Sequence, residues 1–396
     1  MMLTFVLIML ALFTPAESGA ILISSAQELS DIQRLAERDG RVELLQGRYV
    51  LTADIDLPPG WIPIGCAGHP FAGEFDGRGY IIRGLDMGLF GYVQDAKISN
   101  VIIQDAQIKL EDENAPAGIL AAVAVDSIIE NVAIKGGSIS GGGEVGGIVG
   151  LFQGSGRIAD SKSSAVVEGT TAGGIAGKAH GHELKTNAKH KLEIVRTMAY
   201  GNVQGQTAGG LVGEGIDLLA EASAAYGDVH GIMAGGFVGR LTGNSRVIHS
   251  YARGDVFLAK NPGFIGGFVG EVSGGACIEF SFSAGSAVAD ICCDNKTAVG
   301  GFAGAICAKG QPTTVTHCLS FAPWVVGPTD AYVHRFAGIA LDGGVNGCFA
   351  LLGSVVVQGG VVAHVLPSAF SNDGADMSNA QVEDTIGRLG LRNFSL

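Results

Sequence analysis

The sequence predicts an all-β protein, a parallel β-solenoid of about eight to ten coils with a short capping helix at each end. Three observations predict it. First, a five-residue phrase recurs: GGIVG at Gly146–Gly150, GGIAG at Gly173–Gly177, GGLVG at Gly209–Gly213, GGFVG at Gly235–Gly239 and again at Gly266–Gly270, and GGFAG at Gly300–Gly304. Its starts lie 27, 36, 26, 31 and 34 residues apart, within the period range of stacked repeats. Second, each phrase is followed by short β-branched or aromatic runs bounded by glycine, which read as strands and turns. Clear copies are Arg196–Val203, Ala222–Val229 and His249–Val256. Third, no long run of helical period interrupts the array, and one repeat of this size cannot bury its own apolar face, so neighbours must stack.

Composition narrows the class. The chain has 396 residues, 63 of them glycine, without a collagen period. A hydrophobic content of 47% excludes a disordered glycine-rich linker. The formal net charge of −13 argues against nucleic acid, whose phosphates need a basic face, and against anionic membrane surfaces.

In chain order, residues 1–20 read as a secretory signal. Phe5–Phe13 is an apolar core too short to span a membrane, and Ala16, Ser18 and Ala20 are small residues suited to cleavage. No later stretch is apolar enough to span, so the expected location is secreted, extracellular or at the cell surface. Residues 21–100 form an N-terminal cap and lead-in coils. Ser25-Ala26-Gln27-Glu28 is a capping box opening an amphipathic stretch to about Arg38, with Leu29, Ile32 and Leu35 on one face. Residues 101–360 are the repeat array, interrupted by a polar insertion over 178–193. Residues 361–396 are the C-terminal cap, where Ser378–Gln381 repeats the capping-box spacing.

Ahead of the array, Ala53-Asp54-Ile55-Asp56-Leu57 is followed by Trp61–Gly65, then by Phe71–Ile82, then by Gly88-Leu89-Phe90-Gly91. This lead-in, with the repeated glycine phrase, resembles the GLUG-repeat proteins over roughly residues 24–360. The resemblance implies a secreted or surface β-solenoid, found in adhesin-like proteins and in immunoglobulin A peptidase precursors. It implies no single activity.

Several residues are candidates for chemistry. His180, His182 and His190 in the insertion could approach a metal, but His182-Glu183 is followed by Thr186 where a zinc-peptidase motif needs its second histidine. If repeats stack in register, Asn202, Asp228 and Asp255 form one column, and stacked carboxylates could hold calcium. The same slot accounts for Arg253-Gly254-Asp255 as a turn, with glycine supplying the turn conformation and Asp or Asn a local hydrogen bond. Tyr200, Tyr226 and Arg253 form a second column, a candidate row for sugar rings or for a cation–π contact. Asp54, Asp56, Glu74 and Asp76 are the carboxylates to inspect for glycosidase chemistry, Asp56 and Asp76 foremost. Seven cysteines leave at least one unpaired within a single chain; Cys318 and Cys348 occupy matching positions in adjacent repeats, as a disulfide or as a reduced ladder.

No nucleophile elbow or phosphate loop is present. The expected function is therefore a non-enzymatic adhesion or interaction module, a monomer or part of a surface assembly, that binds an extracellular glycan or protein through its extended surface. No catalytic residues and no cofactor are expected, calcium apart. The alternatives are a polysaccharide hydrolase or lyase on a β-helix and a ligand-free spacer.

Overall fold

The computed structural model describes residues 15–16, 19–112, 114–181, 192–260, 262–289, 297–307, 311–341 and 344–363, with 365, 368, 371–378 and 381. The chain winds as a parallel β-solenoid of about 11 turns, close to the eight to ten expected. One coil runs through four faces. Val203–Gly209 lies on face I, Val212–Ile216 on face II, Leu218–Glu221 on face III and Ala224–Ala225 on face IV. Each strand pairs with its equivalents one coil before and after, so the faces become sheets of 15, 9, 13 and 12 strands. These ladders are parallel among the described residues except at the two ends, where Pro15–Ala16 pairs with Ala20–Ile21 and Val357–Gln358 with Val361–Val362.

The glycine phrase is one of the places where successive coils touch closely. Its third residue points inward and is fully buried in every copy: Ile148, Ile175, Leu211, Phe237, Phe268 and Phe302. The backbone N–H of each of the last four donates to the carbonyl of its successor, Leu211 to Phe237 and so on to Phe336, at 2.8 Å. The rings of Phe237, Phe268, Phe302 and Phe336 stack at 4.8–4.9 Å, one coil repeat. The flanking glycines are required by close approach, not by left-handed backbone. A Cβ on Gly236 would lie 2.2 Å from the Gly267 carbonyl oxygen and 2.9 Å from the Ala252 side chain; one on Gly239 would lie 2.7 Å from the Gly213 carbonyl oxygen. Across the coil stand alanines, Ala199, Ala225 and Ala252, so the cross-section is thin there and face IV is built of two-residue strands.

The turn glycines Gly201, Gly227 and Gly254 correct the expectation of a special turn conformation. None has positive φ; a Cβ on each would lie within 2.0 Å of the preceding coil's carbonyl oxygen. Left-handed residues recur elsewhere, at Asp95, Asp126 and Asp217 between faces II and III and, in more coils, at the corner between faces III and IV. The latter corner is held by Asn100, Asn131, Asp160, Arg196, Ala222, His249, Phe280 and His317, with φ of 49–54°. Such a conformation costs roughly 1–2 kcal/mol per non-glycine residue, and packing of the coil on both sides must offset it. The residue after each corner points inward. Ser161, Thr197, Ser223, Ser250 and Ser281 there donate to the carbonyl two residues back at 2.7–3.0 Å.

The N-terminal end is closed by a helix. Helix α1 (Ala26–Arg38) covers the first coil with Leu29, Ile32 and Leu35 buried, as its periodicity predicts. Its N-cap is Ser25, and Glu28 reaches back to Ser24 rather than to Ser25. At the other end His334-Arg335 stands where earlier repeats have Gly-Gly. Beyond it Asn372 accepts from the N–H groups of Phe336 and Ala337 at 3.1 and 2.8 Å, ending the face II ladder. The buried Arg335 pairs with Asp376 at 2.8 Å. Ser378 donates to Gln381 as its capping box predicts, while the expected helix beyond lies outside the described residues, as does the signal segment over 1–14. No described helix is long and apolar enough to cross a membrane.

Gly236→Ala is expected to cost about 3 kcal/mol, the upper end for overpacking. Gly353→Ala, whose added Cβ meets nothing within 4 Å, should stay within about 0.5 kcal/mol of the parent. Urea unfolding midpoints measure both; equal effects would refute close approach as the reason for the glycines.

Candidate functional site

Face IV carries the aromatic column expected from the sequence and extends it. Its inward positions are Ala199, Ala225 and Ala252, so the residues on either side project outward. One outward column runs Met198, Ala224, Tyr251, Phe282, Leu319, Phe349. The other runs Tyr200, Tyr226, Arg253, each residue's N–H bonded to the coil before it. Tyr200 and Tyr226 stack at 4.8 Å and 5°. Tyr226 meets Tyr251 edge-on at 5.6 Å, and their hydroxyls are hydrogen-bonded to one another. Tyr251 then stacks on the buried Phe282 at 5.0 Å. The Tyr200 hydroxyl donates to the Met198 sulfur at 3.1 Å.

The stripe is thus a continuous aromatic surface whose exposed end is Tyr200 and Met198, 44% and 38% accessible. Burial raises the pKa of Tyr200; burial, and next the bond to Tyr226, raises that of Tyr251. Both hydroxyls are therefore neutral donors near pH 7. Tyr251, Phe282 and Met198 were missed in the sequence. The signal was available for two of them: Met198 and Tyr251 each stand two residues before a member of the tyrosine column, on the same side of a strand.

The Asn202–Asp228–Asp255 column forms as expected, but its oxygens have protein donors. Asn202 Oδ1 accepts from the N–H of Asp228 at 3.0 Å, Asp228 Oδ1 from that of Asp255 at 3.0 Å, and Asp255 Oδ1 from that of Ser286 at 2.7 Å. Each side chain thus bridges to the next coil, and a backbone donor stands between the stacked carboxylates. His180 lies on another face, in the strand Ala176–Gly181 between Gln153 and Ile216. The insertion therefore begins after Gly181 and not at Lys178, which stays in register and pairs with Glu214 at 2.8 Å. His182 and His190 lie outside the described residues. Among the described residues no three His, Cys, Asp or Glu side chains converge as a metal site.

Cys318 and Cys348 stack in adjacent coils as buried free thiols. They continue the serine column behind the left-handed corner and, like those serines, donate to the carbonyl two residues back, Thr316 at 3.3 Å and Asn346 at 3.5 Å. Burial pushes the Cys318 thiol well above its ordinary range.

The lead-in carboxylates are engaged in holding coils together. Asp54 and Asp56 both pair with Arg83, and Asp54 accepts the Ile81 N–H, which holds its carboxyl below the usual range. Glu74 pairs with Arg48, and Asp76 accepts from the Arg78 N–H and the Asn100 amide. None of these contacts sets two carboxylates facing one another across a cleft.

No protein-family model matches the sequence, and no curated protein matches it. Among solved structures, one described as a putative immunoglobulin A1 protease from Bacteroides ovatus aligns over 94% of this chain and 88% of its own. It does so at 16% identity and a TM-score of 0.39.

Asp228→Ala should cost about 1 kcal/mol, the worth of an ordinary hydrogen bond. Asp228→Asn, which restores the residue type of Asn202, should cost little. Thermal unfolding with and without calcium checks this. A calcium-dependent rise in Tm abolished by Asp228→Asn would instead assign the column to the ion.

Proposed function

We propose that the chain is a secreted or cell-surface interaction module, an adhesin-type solenoid that holds an extracellular ligand without transforming it. The observation that carries this reading is the outward-facing stripe on face IV, with Met198, Tyr200 and Arg253 exposed and Tyr226 and Tyr251 half-buried between them. Tyrosine and arginine dominate binding hot spots, and methionine is enriched at interfaces. Rings already stacked in the free protein lose little conformational entropy on binding. Because Tyr200 and Tyr226 lie face to face, they offer a partner their edges and hydroxyls. This suits a protein surface better than a sugar ring, which stacks on an open aromatic face. The column continues beyond Tyr200 as Ser164, so the outer face of Tyr200 is the one place on the row where a ring could lie flat.

The polysaccharide-cleaving alternative is less well supported. A general acid needs a raised pKa, yet Asp54, Asp160 and Glu279 are all lowered, the last two chiefly by hydrogen bonds from Arg196 and Arg246. The spacer reading leaves the outward-facing tyrosines, Tyr200 above all, without a role.

An array of extracellular-matrix proteins and glycans, probed with the mature chain, tests the proposal. Saturable binding without cleavage products is expected, weakened at least tenfold by Tyr200→Ala/Tyr226→Ala. Cleavage of a bound glycan would replace the proposal with the enzyme reading, and absence of binding with the spacer.

A further inference from the structure

A second surface, on face I, has the chemistry of a different ligand. In three successive coils the face I strand runs unbroken: Val166–Gly173, Val203–Gly209 and Val229–Gly235. On either side of these three the strand is split, into Ser138–Ser140 and Glu144–Gly146 before them and Val256–Leu258 and Phe264–Gly266 after them. Two adjoining hollows of about 560 and 280 Å³ lie over this floor and share Thr170. Together they form a trough along the solenoid axis, from Asn114 past Glu144, Thr170, Gln206 and Ile232 to Lys260, one coil at a time. At about 4.8 Å per coil its length is roughly 24 Å.

The lining is polar, and its side chains are available. Some charged side chains elsewhere on the surface pair between coils, as in Lys178–Glu214, Arg196–Asp160 and Arg246–Glu279. In the trough, Glu144, Glu168, Thr170, Gln204 and Gln206 make no side-chain hydrogen bond or ion pair among the described residues. They present carboxylates, a hydroxyl and amides, donors and acceptors in alternation. The Glu168–Gln204 column runs on into His230 and Phe257, whose rings stack at 4.7 Å.

We propose that this trough binds a linear, uncharged polysaccharide lying along the solenoid axis. A chain of hydroxyls that both donate and accept matches a lining of amides, hydroxyls and carboxylates. Two glutamates against one lysine, in a chain of net charge −13, disfavour anionic polymers. An extended peptide gains its affinity by pairing with a free sheet edge. Here the strands lie inside a sheet, each already paired on both sides, so strand addition is closed. The proposal extends the interaction-module reading to a second face and does not depend on the tyrosine stripe.

Affinity electrophoresis of the mature chain in gels containing hydroxyethyl cellulose, glucomannan, dextran, polygalacturonate or dextran sulfate tests it. At least one of the three neutral polymers should retard the chain. Gln204→Ala/Gln206→Ala, both at exposed positions, should weaken that retardation at least tenfold, and Tyr200→Ala/Tyr226→Ala should leave it unchanged. The proposal is overturned if no neutral polymer retards the chain, if the anionic polymers retard it as strongly, or if retardation follows the tyrosines and not the glutamines. Circular dichroism of each variant distinguishes lost contact from lost fold. Loss of array binding to matrix proteins in the tyrosine variant alone would bear on the stripe and leave the trough intact.

Discussion

The backbone of one coil lies so close to the next that a side chain cannot fit between them at several points in each repeat. That constraint is met by glycine in the repeated phrase, and the rest of the architecture follows. With no Cβ on Gly236 or Gly239, adjacent chains close to hydrogen-bonding distance on face II, and the third residue of the phrase is driven inward. The aromatic stack from Phe237 to Phe336 is the product. The opposite wall can then hold only small residues, Ala199, Ala225 and Ala252 in the middle coils and Ser163, Ser283 and Ser320 on either side, so face IV is thin and its outward side chains stand in tight rows.

The same register that packs the interior organises the exterior. An outward residue recurs at nearly the same height and angle in each coil, so chemistry is presented as columns. Where the column is aromatic, rings stack and become a rigid surface. Where it is acidic, each carboxylate finds the next coil's N–H group, as Asp228 and Asp255 do. Where it alternates in sign, ion pairs connect three or four coils, as Lys178, Glu214, Arg240 and Glu271 do on face II. Such exposed pairs are worth little singly; their value here is to keep like charges out of adjacent places. A surface of this kind changes little on binding, because the backbone cannot move without breaking two ladders.

The solenoid, the N-terminal helix and the tyrosine column were legible in the sequence because each follows from a period: about 30 residues for coils, 3.6 for the helix, 2 for strand sides. What was not legible depends on neighbours in space. The left-handed corner is announced by Asn100, Asn131 and Asp160, residue types that favour it, but then passes to Arg196, Ala222 and His249, which do not. Their conformation is imposed by the coils above and below. The roles of Gly201 and Gly227 were misjudged for the same reason: a turn and a close approach call for the same residue. The trough on face I is invisible in one dimension because its lining is drawn from equivalent positions of successive coils. Cys318 and Cys348 are replacements in a serine column, a relation that appears only when the coils are superposed.

In-register stacking of the coils can be measured directly as a distance. Lys97 and Thr314 occupy one column of face III, seven steps apart through Ile128, Arg157, Glu193, Leu219, Arg246 and Cys277. Spin labels at these two positions, with the native cysteines replaced by serine, report their separation by double electron–electron resonance. An unbroken stack predicts one narrow distribution centred near 34 Å, seven repeats of about 4.8 Å. A broad distribution, or a centre displaced by more than one coil repeat, would contradict it.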